Sequence, residues 1–351
     1  MSERAGLDIL FDALRARQRG ETVSLEGVPA TAIGAAIAIA GHNKITSLVA
    51  QPLIGFEPSR EVFDQHKLTA FYNNSMILRE TLRVCGLLER ARVRHVVVKG
   101  PLQQNLIYGD YFVRAALDID VLVHRGDYVR ARTALQGGDY TLLSPSIWWW
   151  AFLGEQHFDR PGVPGSSVDL HWSLHQPGTP ASREAGRFID EARRVRHNGV
   201  DIPILSDRHA ALLAVISIAK ALYNREPAGA HLLDLFAMLK SGAPEVVGSF
   251  MAEARQCGLG GHAAIALRAL GHIFDADFSP SANGRPVLPG TTPDELVGLM
   301  FTPEAPGLKI ARRRTLVWEF CDRNLWRYGL ELGRMGAAQV ALKMFERQPA
   351  V

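Results

Sequence analysis

The chain has 351 residues, of which 47% are hydrophobic and 21% charged, and its formal net charge at pH 7 is +3. This balance is typical of a globular protein with an ample core, and the small net charge argues against a dedicated duplex-DNA binder. The three cysteines lie far apart and match no zinc-binding spacing, which favours a reducing, cytoplasmic setting without structural disulfides.

The first 90 residues are predicted to be helical. Leu7, Leu10, Phe11 and Leu14 recur at the spacing of one apolar helix face, and residues 62–91 keep the same period. Between them, the apolar run VPATAIGAAIAIAG is shorter than the roughly 20 residues that cross a bilayer. We therefore expect a buried helix here and no membrane partner.

From Arg94 the pattern changes to short β-branched segments that are typical of strands. RHVVVKG predicts a strand that ends at Gly100, and Pro101 suits the first turn of a helix, where its missing N–H costs nothing. ALDIDVLVH predicts the next strand. The helix after it is expected to be capped by Asp127 and to stop at residues 137–138.

Three further strands are predicted in YTLL, EQHFDR and SVDLHWSL, and Asn198-Gly199 predicts a two-residue hairpin turn. From Ser206 the segments are helical again, with a Pro/Gly-rich stretch at 279–295 followed by two more helices. The predicted fold class is therefore α+β, in three parts. These are N-terminal helices over 1–90, a core with a small mixed β-sheet over 91–205, and a C-terminal helical bundle over 206–351.

Two acids stand one residue apart in LDIDVLV, the segment predicted to form the second strand. Because side chains alternate across a strand, Asp118 and Asp120 are expected side by side on one face. The opposite face is expected to hold the apolar residues Leu117, Ile119, Val121 and Val123. Two close carboxylates repel each other unless a cation lies between them, and Mg²⁺ is the cation that also takes phosphates.

A third acid, Asp169, lies in SVDLHWSL, and alternation places it with His171 on the face opposite Val168 and Leu170. If this strand pairs with the first, Asp169 completes a three-carboxylate cluster. His157, in the neighbouring predicted strand, could line the same cleft, although a structural role is preferred. Asp-x-Asp alone also fits a solvated strand surface. The strand, glycine turn and helix just upstream favour a site, because backbone N–H groups in such a turn can cradle phosphates.

The segment VVVKGPLQQNLIYGDYFVRAALDIDVLV resembles the signature of the uncharacterised bacterial nucleotidyltransferase family within the polymerase-β-like superfamily. The later VDLHWSL is similar to the strand that bears the family's third acid, and HLLDLFAML resembles a helical Asp-Leu segment of its C-terminal half. The strong match covers residues 94–174. The residues that carry it are Lys99, Gly100, Tyr108, Arg114, Asp118, Ile119 and Asp120.

The resemblance implies a metal site for Mg²⁺, with Mn²⁺ as the alternative, and a nucleoside triphosphate as co-substrate. Asp118 and Asp120 would bridge two metals, and Asp169 would bind the catalytic metal or accept the acceptor's proton. Gly100, at the turn, would hold the triphosphate. Lys99 and Arg114 would make further phosphate contacts, with pyrophosphate as the leaving group. One departure is the turn sequence Lys-Gly-Pro, where the wider superfamily has Gly-Ser or Gly-Gly.

Several other residues have two interpretations each. Arg114 could pair locally with Asp110 instead of contacting phosphate. His171 could orient the third acid or be an ordinary core histidine. Asp234 could reach the site or only pair on its own helix. The run Trp148–Trp150 could form an aromatic wall or a lid, although packing between domains is preferred.

The leading hypothesis is a cytoplasmic, Mg²⁺-dependent nucleotidyltransferase. It would move a nucleoside monophosphate, by preference AMP from ATP, to a hydroxyl of a small molecule, a peptide or a protein. One alternative is a nucleotide-sensing or protein-binding module on the same fold. Another is an RNA-modifying polymerase-like enzyme, which the small net charge weakens.

Overall fold

The structure is a computed structural model that describes residues 2–182, 186–239, 243–278, 288–305 and 313–345. The greater part of the Pro/Gly-rich stretch predicted at 279–295 lies outside these ranges.

Helices flank a central sheet in the described chain. The strands are β1 His95–Val97, β2 Ile119–Val123, β3 Thr141–Leu142, β4 Glu155–Asp159, β5 Val168–His171, β6 Arg193–His197 and β7 Val200–Ile204. The helices before and within the sheet are α1 Ser2–Arg19, α2 Ala30–His42, α3 Thr46–Val49, α4 Arg60–Arg90, α5 Pro101–Tyr108, α6 Tyr128–Gln136 and α7 Arg187–Asp190. Those after it are α8 Asp207–Asn224, α9 Gly229–Met238, α10 Pro244–Gln256, α11 Gly260–Phe274, α12 Pro293–Phe301, α13 Arg313–Phe320 and α14 Leu325–Phe345.

The seven strands form one mixed sheet in the order β3-β4-β5-β2-β1-β7-β6. β2 runs parallel to β5 and β1 runs parallel to β7, whereas the other neighbouring strands are antiparallel. The predicted α+β class with a small mixed sheet is confirmed. The hairpin between β6 and β7 turns at Asn198 and Gly199, whose positive φ angles of 47° and 82° suit a tight hairpin turn.

One face of the sheet packs against α4 and α6. Alternate residues of β2 and β5, among them Val121 and Leu170, share a buried cluster with Leu88 of α4 and Leu135 of α6. The opposite face has two parts. Near β1 it is apolar and joins the helical core, whereas at β2, β5 and β4 it is polar.

The helices α1 to α3 pack against the C-terminal helices and share one buried cluster with α8, α9, α11 and α12. The ring centroids of Phe11 and Phe301 are 5.3 Å apart at an interplanar angle of 77°. The Arg15 Nε group donates a hydrogen bond to the carbonyl of Ile273 at 2.7 Å.

The predicted buried helix is α2, and none of the described helices has both the length and the apolarity needed to cross a membrane.

Three local predictions are wrong. Asp127 does not cap α6, because a 3₁₀ turn over Arg125–Asp127 precedes this helix and the Asp127 carboxylate accepts a hydrogen bond from Arg130. Leu117 is 64% exposed, because β2 begins only at Ile119 and alternation does not reach back to it. The described residues after 288 form three helices, where two were predicted.

A close approach between α11 and α13 leads to a first prediction. A Cβ at Gly261 would lie 1.8 Å from the carbonyl oxygen of Glu319, so alanine would force the two helices apart. We expect Gly261→Ala to lower the free energy of unfolding by about 1–3 kcal/mol in urea denaturation. Gly248→Ala in α10 is the matched control, because its new Cβ meets nothing within 4 Å and should be neutral or stabilising. Equal effects of the two substitutions would contradict this account.

Candidate active site

The polar part of the sheet face is built by three neighbouring strands. In the register of β2 with β5, Asp120 lies opposite Asp169. In the register of β5 with β4, Asp169 lies opposite His157, and His171 lies opposite Glu155. Directly opposed residues point to the same face of a sheet. Backbone pairing alone therefore gathers three carboxylates and two imidazoles.

His171 lies between two of these carboxylates. Its Nε2 is 2.9 Å from Asp120 Oδ1, and its Nδ1 is 3.2 Å from Glu155 Oε2. Burial alone would lower the pKa of His171, but its hydrogen bond with Asp120 and the adjacent carboxylate of Glu155 raise it to about 9. Burial alone would raise the pKa of Asp120. The positive charge of Lys99 and the hydrogen bond from His171 outweigh burial and hold this pKa below its ordinary value. The two acids are thus ionised around a positively charged imidazole at neutral pH.

His157 holds the third predicted acid, since its Nδ1 is 2.6 Å from Asp169 Oδ1. This hydrogen bond raises the pKa of His157 above its ordinary value. The ring of Trp149 meets the His157 ring edge-on, at a centroid distance of 4.5 Å. The polar cluster therefore extends towards the tryptophan run.

The tryptophan run enters a π-helical turn over Trp149–Leu153, and all three tryptophans are half-buried. Trp148 stacks on Phe152, and the Trp150 carbonyl accepts a hydrogen bond from the Trp172 indole at 2.8 Å. These contacts fasten the turn beside β4 and β5.

Asp118 precedes β2 and is half-buried. It lines a cavity over the polar part of the sheet face, which Asp120 and Asp169 also line. Burial and the nearby charges of Asp120 and Asp169 raise the pKa of Asp118.

The loop that leads to Asp118 is held by two buried side-chain amides, Asn74 and Gln104, which were not predicted to have a role. Asn74 donates to the Arg114 carbonyl and accepts from the Ala116 N–H, at 2.9 and 2.7 Å. Gln104 donates to the same carbonyl and accepts from the Arg114 N–H, both at 3.0 Å.

The turn between β1 and α5 lies next to the acids. Gly100 has a φ of 92°, which favours glycine, and Pro101 begins the helix as predicted. The Lys99 Nζ is 3.8 Å from Asp120 Oδ1. The predicted phosphate turn and the predicted acids thus meet in space.

Arg114 pairs with Asp234 of α9 and not with Asp110. Two guanidinium nitrogens of Arg114 donate to the two Asp234 oxygens at 2.8 and 2.5 Å, and the Tyr108 hydroxyl donates to the same carboxylate at 2.8 Å. The Asp110 carboxylate accepts the Phe112 N–H instead. Arg114 also lines the cavity, so this ion pair joins the C-terminal helices to its wall.

The cavity between the sheet face and the helices has a volume of about 540 Å³. The three predicted acids, Lys99, Gly100 and Arg114 all line it. The C-terminal half contributes Lys220, Glu226 and His231, which the sequence analysis did not single out. Burial and then Lys99 lower the pKa of His231 to about 3, so its imidazole is neutral.

The sequence profile of the family described as "uncharacterised nucleotidyltransferase" matches residues 29–275. The chain belongs to this family. The match begins just before α2, covers the whole sheet and ends at α11, so it includes every residue of the cavity wall named above. Membership implies nucleotidyl transfer as the general activity and a nucleoside triphosphate as the general substrate.

Two further comparisons accompany the family match. One solved structure, of an antigenic nucleotidyltransferase-like protein from Paracoccidioides brasiliensis, is 16% identical to this chain in sequence. The aligned region spans 52% of this chain and 87% of that protein's chain, with a TM-score of 0.31. No curated protein matches the chain.

The donor set of this nucleotidyltransferase fits a divalent cation. One ligand atom each from Asp120, Asp169 and His171 lies within 4.8 Å of the others. Carboxylate oxygens suit Mg²⁺ and Mn²⁺, and the His171 imidazole would have to lose a ring proton before it could join them as a ligand. Among the described residues, the tightest group thus contains two of the three predicted acids and His171, with Asp118 in the adjoining wall.

Proposed function

We propose that the protein is a Mg²⁺-dependent nucleotidyltransferase that moves AMP from ATP to a hydroxyl of a small molecule, a peptide or a protein and releases pyrophosphate. One observation carries this proposal. The ligand atoms of Asp120, Asp169 and His171 lie within 4.8 Å of one another, in the cavity that the Lys99-Gly100 turn also lines.

In this proposal Asp118 and Asp120 hold the metal, which would supply positive charge to the phosphoryl oxygens, and Asp169 is the base of the transfer step. The start of α5 after Gly100 offers backbone N–H groups to the phosphates, with one donor fewer because of Pro101. Lys99 adds a positive charge beside Asp120. Arg114 is held by Asp234 at the edge of the same wall.

The acceptor hydroxyl gives its proton to Asp169 as its oxygen bonds to the α-phosphorus. The bond from that phosphorus to the oxygen of the β-phosphate breaks, and pyrophosphate leaves with the electron pair. His157 is a positioning residue in this step, because its 2.6 Å hydrogen bond fixes one Asp169 oxygen. The other oxygen remains for the proton.

The size of the cavity and the net charge of the chain support this acceptor class. A cavity of about 540 Å³ suits a small molecule or one protruding side chain. The net charge of +3 offers little of the basic surface that nucleic-acid binding needs. Cys85, Cys257 and Cys321 are buried free thiols, which supports the proposed cytoplasmic setting.

The test is incubation with each α-labelled nucleoside triphosphate, Mg²⁺ and a host-cell extract, followed by identification of the labelled products. We expect label from ATP in a product, one pyrophosphate released per transfer, and loss of both with a chelator. Binding of ATP without pyrophosphate release would favour the sensing module. Absence of label from every nucleotide would contradict transfer.

A further inference from the structure

α8 is an apolar, nearly fully buried helix that carries one lysine near its C-terminal end. Its buried residues run almost without interruption from His209 to Leu222, and Lys220 stands within this stretch. Lys220 is half-buried and lines the candidate active-site cavity. A lysine at such a position is unfavourable unless its charge meets a partner.

Within the described ranges, Lys220 makes no hydrogen bond and has no carboxylate within 4.0 Å. Lys44, another lysine of the cavity wall, is exposed to solvent, whereas the two remaining long cations are paired. Lys99 lies 3.8 Å from Asp120, and Arg114 is paired with Asp234 at 2.5 Å. Lys220 is thus half-buried and faces the cavity, and its ammonium group has N–H donors without a hydrogen-bond acceptor among the described residues.

Lys99, from the turn after β1, and Lys220, from α8, face the same cavity. Burial and then the charge of Lys99 lower the pKa of Lys220, whereas the carboxylates of Glu155, Asp120 and Glu226 raise it. Two like charges in one cavity repel each other, and an anion between them removes that cost. Since the carboxylates nearby suit a metal, the anion that fits this pair is a phosphate chain.

We propose that Lys220, together with Lys99, binds the two phosphates that leave as pyrophosphate. This inference rests on the proposed function and adds a residue of the helical half to the nucleotide site. As the bond between the α-phosphorus and the bridging oxygen breaks, the electron pair stays on the pyrophosphate oxygen. The Lys220 ammonium stabilises that charge by proximity, and no proton needs to move.

The test is calorimetric titration of the full chain with inorganic pyrophosphate in the presence of Mg²⁺. Lys220→Met keeps the aliphatic stem and removes the charge, and we expect it to raise the Kd for pyrophosphate roughly 10-fold or more. Lys220→Arg should restore most of the affinity. AMP, which lacks the leaving phosphates, should bind Lys220→Met as it binds the wild type. The matched control is Lys67→Met, which removes an exposed lysine of α4 outside the cavity.

A second readout is thermal unfolding without ligand. Lys220→Met should unfold at the same or a higher temperature than the wild type, because it removes an unpaired, half-buried charge. If the methionine variant fails to fold, Lys220→Gln gives the same comparison. Unchanged pyrophosphate affinity in a folded variant would overturn the role of Lys220, and the proposed function would stand if ATP still released pyrophosphate. A wild type that binds neither ATP nor pyrophosphate would overturn both.

Discussion

Asp120→Asn is expected to lower nucleotidyl transfer by about 100-fold or more, because even residues that only support a metal ligand change activity by up to that factor. The substitution removes a carboxylate oxygen and a charge from the group that Asp120 forms with Asp169 and His171. Asparagine keeps an oxygen that can accept from His171 Nε2, now 2.9 Å from Asp120. The fold should therefore survive, and pyrophosphate release from ATP measures the loss.

Asp118→Asn should also lower nucleotidyl transfer in the same assay. Comparing its loss with that of Asp120→Asn shows how much each of the two acids contributes. Asp118 is half-buried and has a raised pKa, whereas Asp120 is 8% exposed and beside two cations. Asp201→Asn, an exposed acid in the hairpin of β7, is the matched control and should leave turnover unchanged. Full turnover by a folded Asp120→Asn variant would exclude the proposed mechanism.

Strand periodicity was enough to predict the face of Asp120 and of Asp169, but not that of Asp118, which precedes β2. β-Branched residues marked β1 and β2. Alternation placed Asp120 and Asp169 on polar faces, which the observed register brings opposite each other. The same rule applied to EQHFD would have placed Glu155 and His157 together, and β4 does so beside β5. Glu155 was missed because a lone glutamate in a short strand carries no motif.

Contacts between distant segments were beyond the reach of periodicity. Arg114 and Asp234 are 120 residues apart, and their pairing depends on how α9 packs beside α5. Lys220 in an apolar helix was a usable signal, since a lysine among buried residues needs a polar surrounding. Alternation along the strands could not predict that Lys220 faces the acidic part of the sheet, because the position of α8 over the sheet depends on tertiary packing.

The ion pair of Arg114 with Asp234 gives the largest expected effect on stability. The two side chains are 19% and 11% exposed, and Asp234 also accepts the Tyr108 hydroxyl. Asp234→Ala leaves a buried guanidinium without its counter-charge and a buried hydroxyl without its acceptor. We expect the free energy of unfolding in urea to fall by about 3–5 kcal/mol.

A double substitution separates the loss of this pair from the exposure of an uncompensated charge. Arg114→Met with Asp234→Leu removes both charges and fills similar volume, so it should recover a large part of the stability lost in Asp234→Ala. Asp234→Asn, which keeps an acceptor for Tyr108 but loses the charge, should fall between the two. A double variant as unstable as Asp234→Ala would show that packing between α5 and α9, and not the unpaired guanidinium, sets the cost.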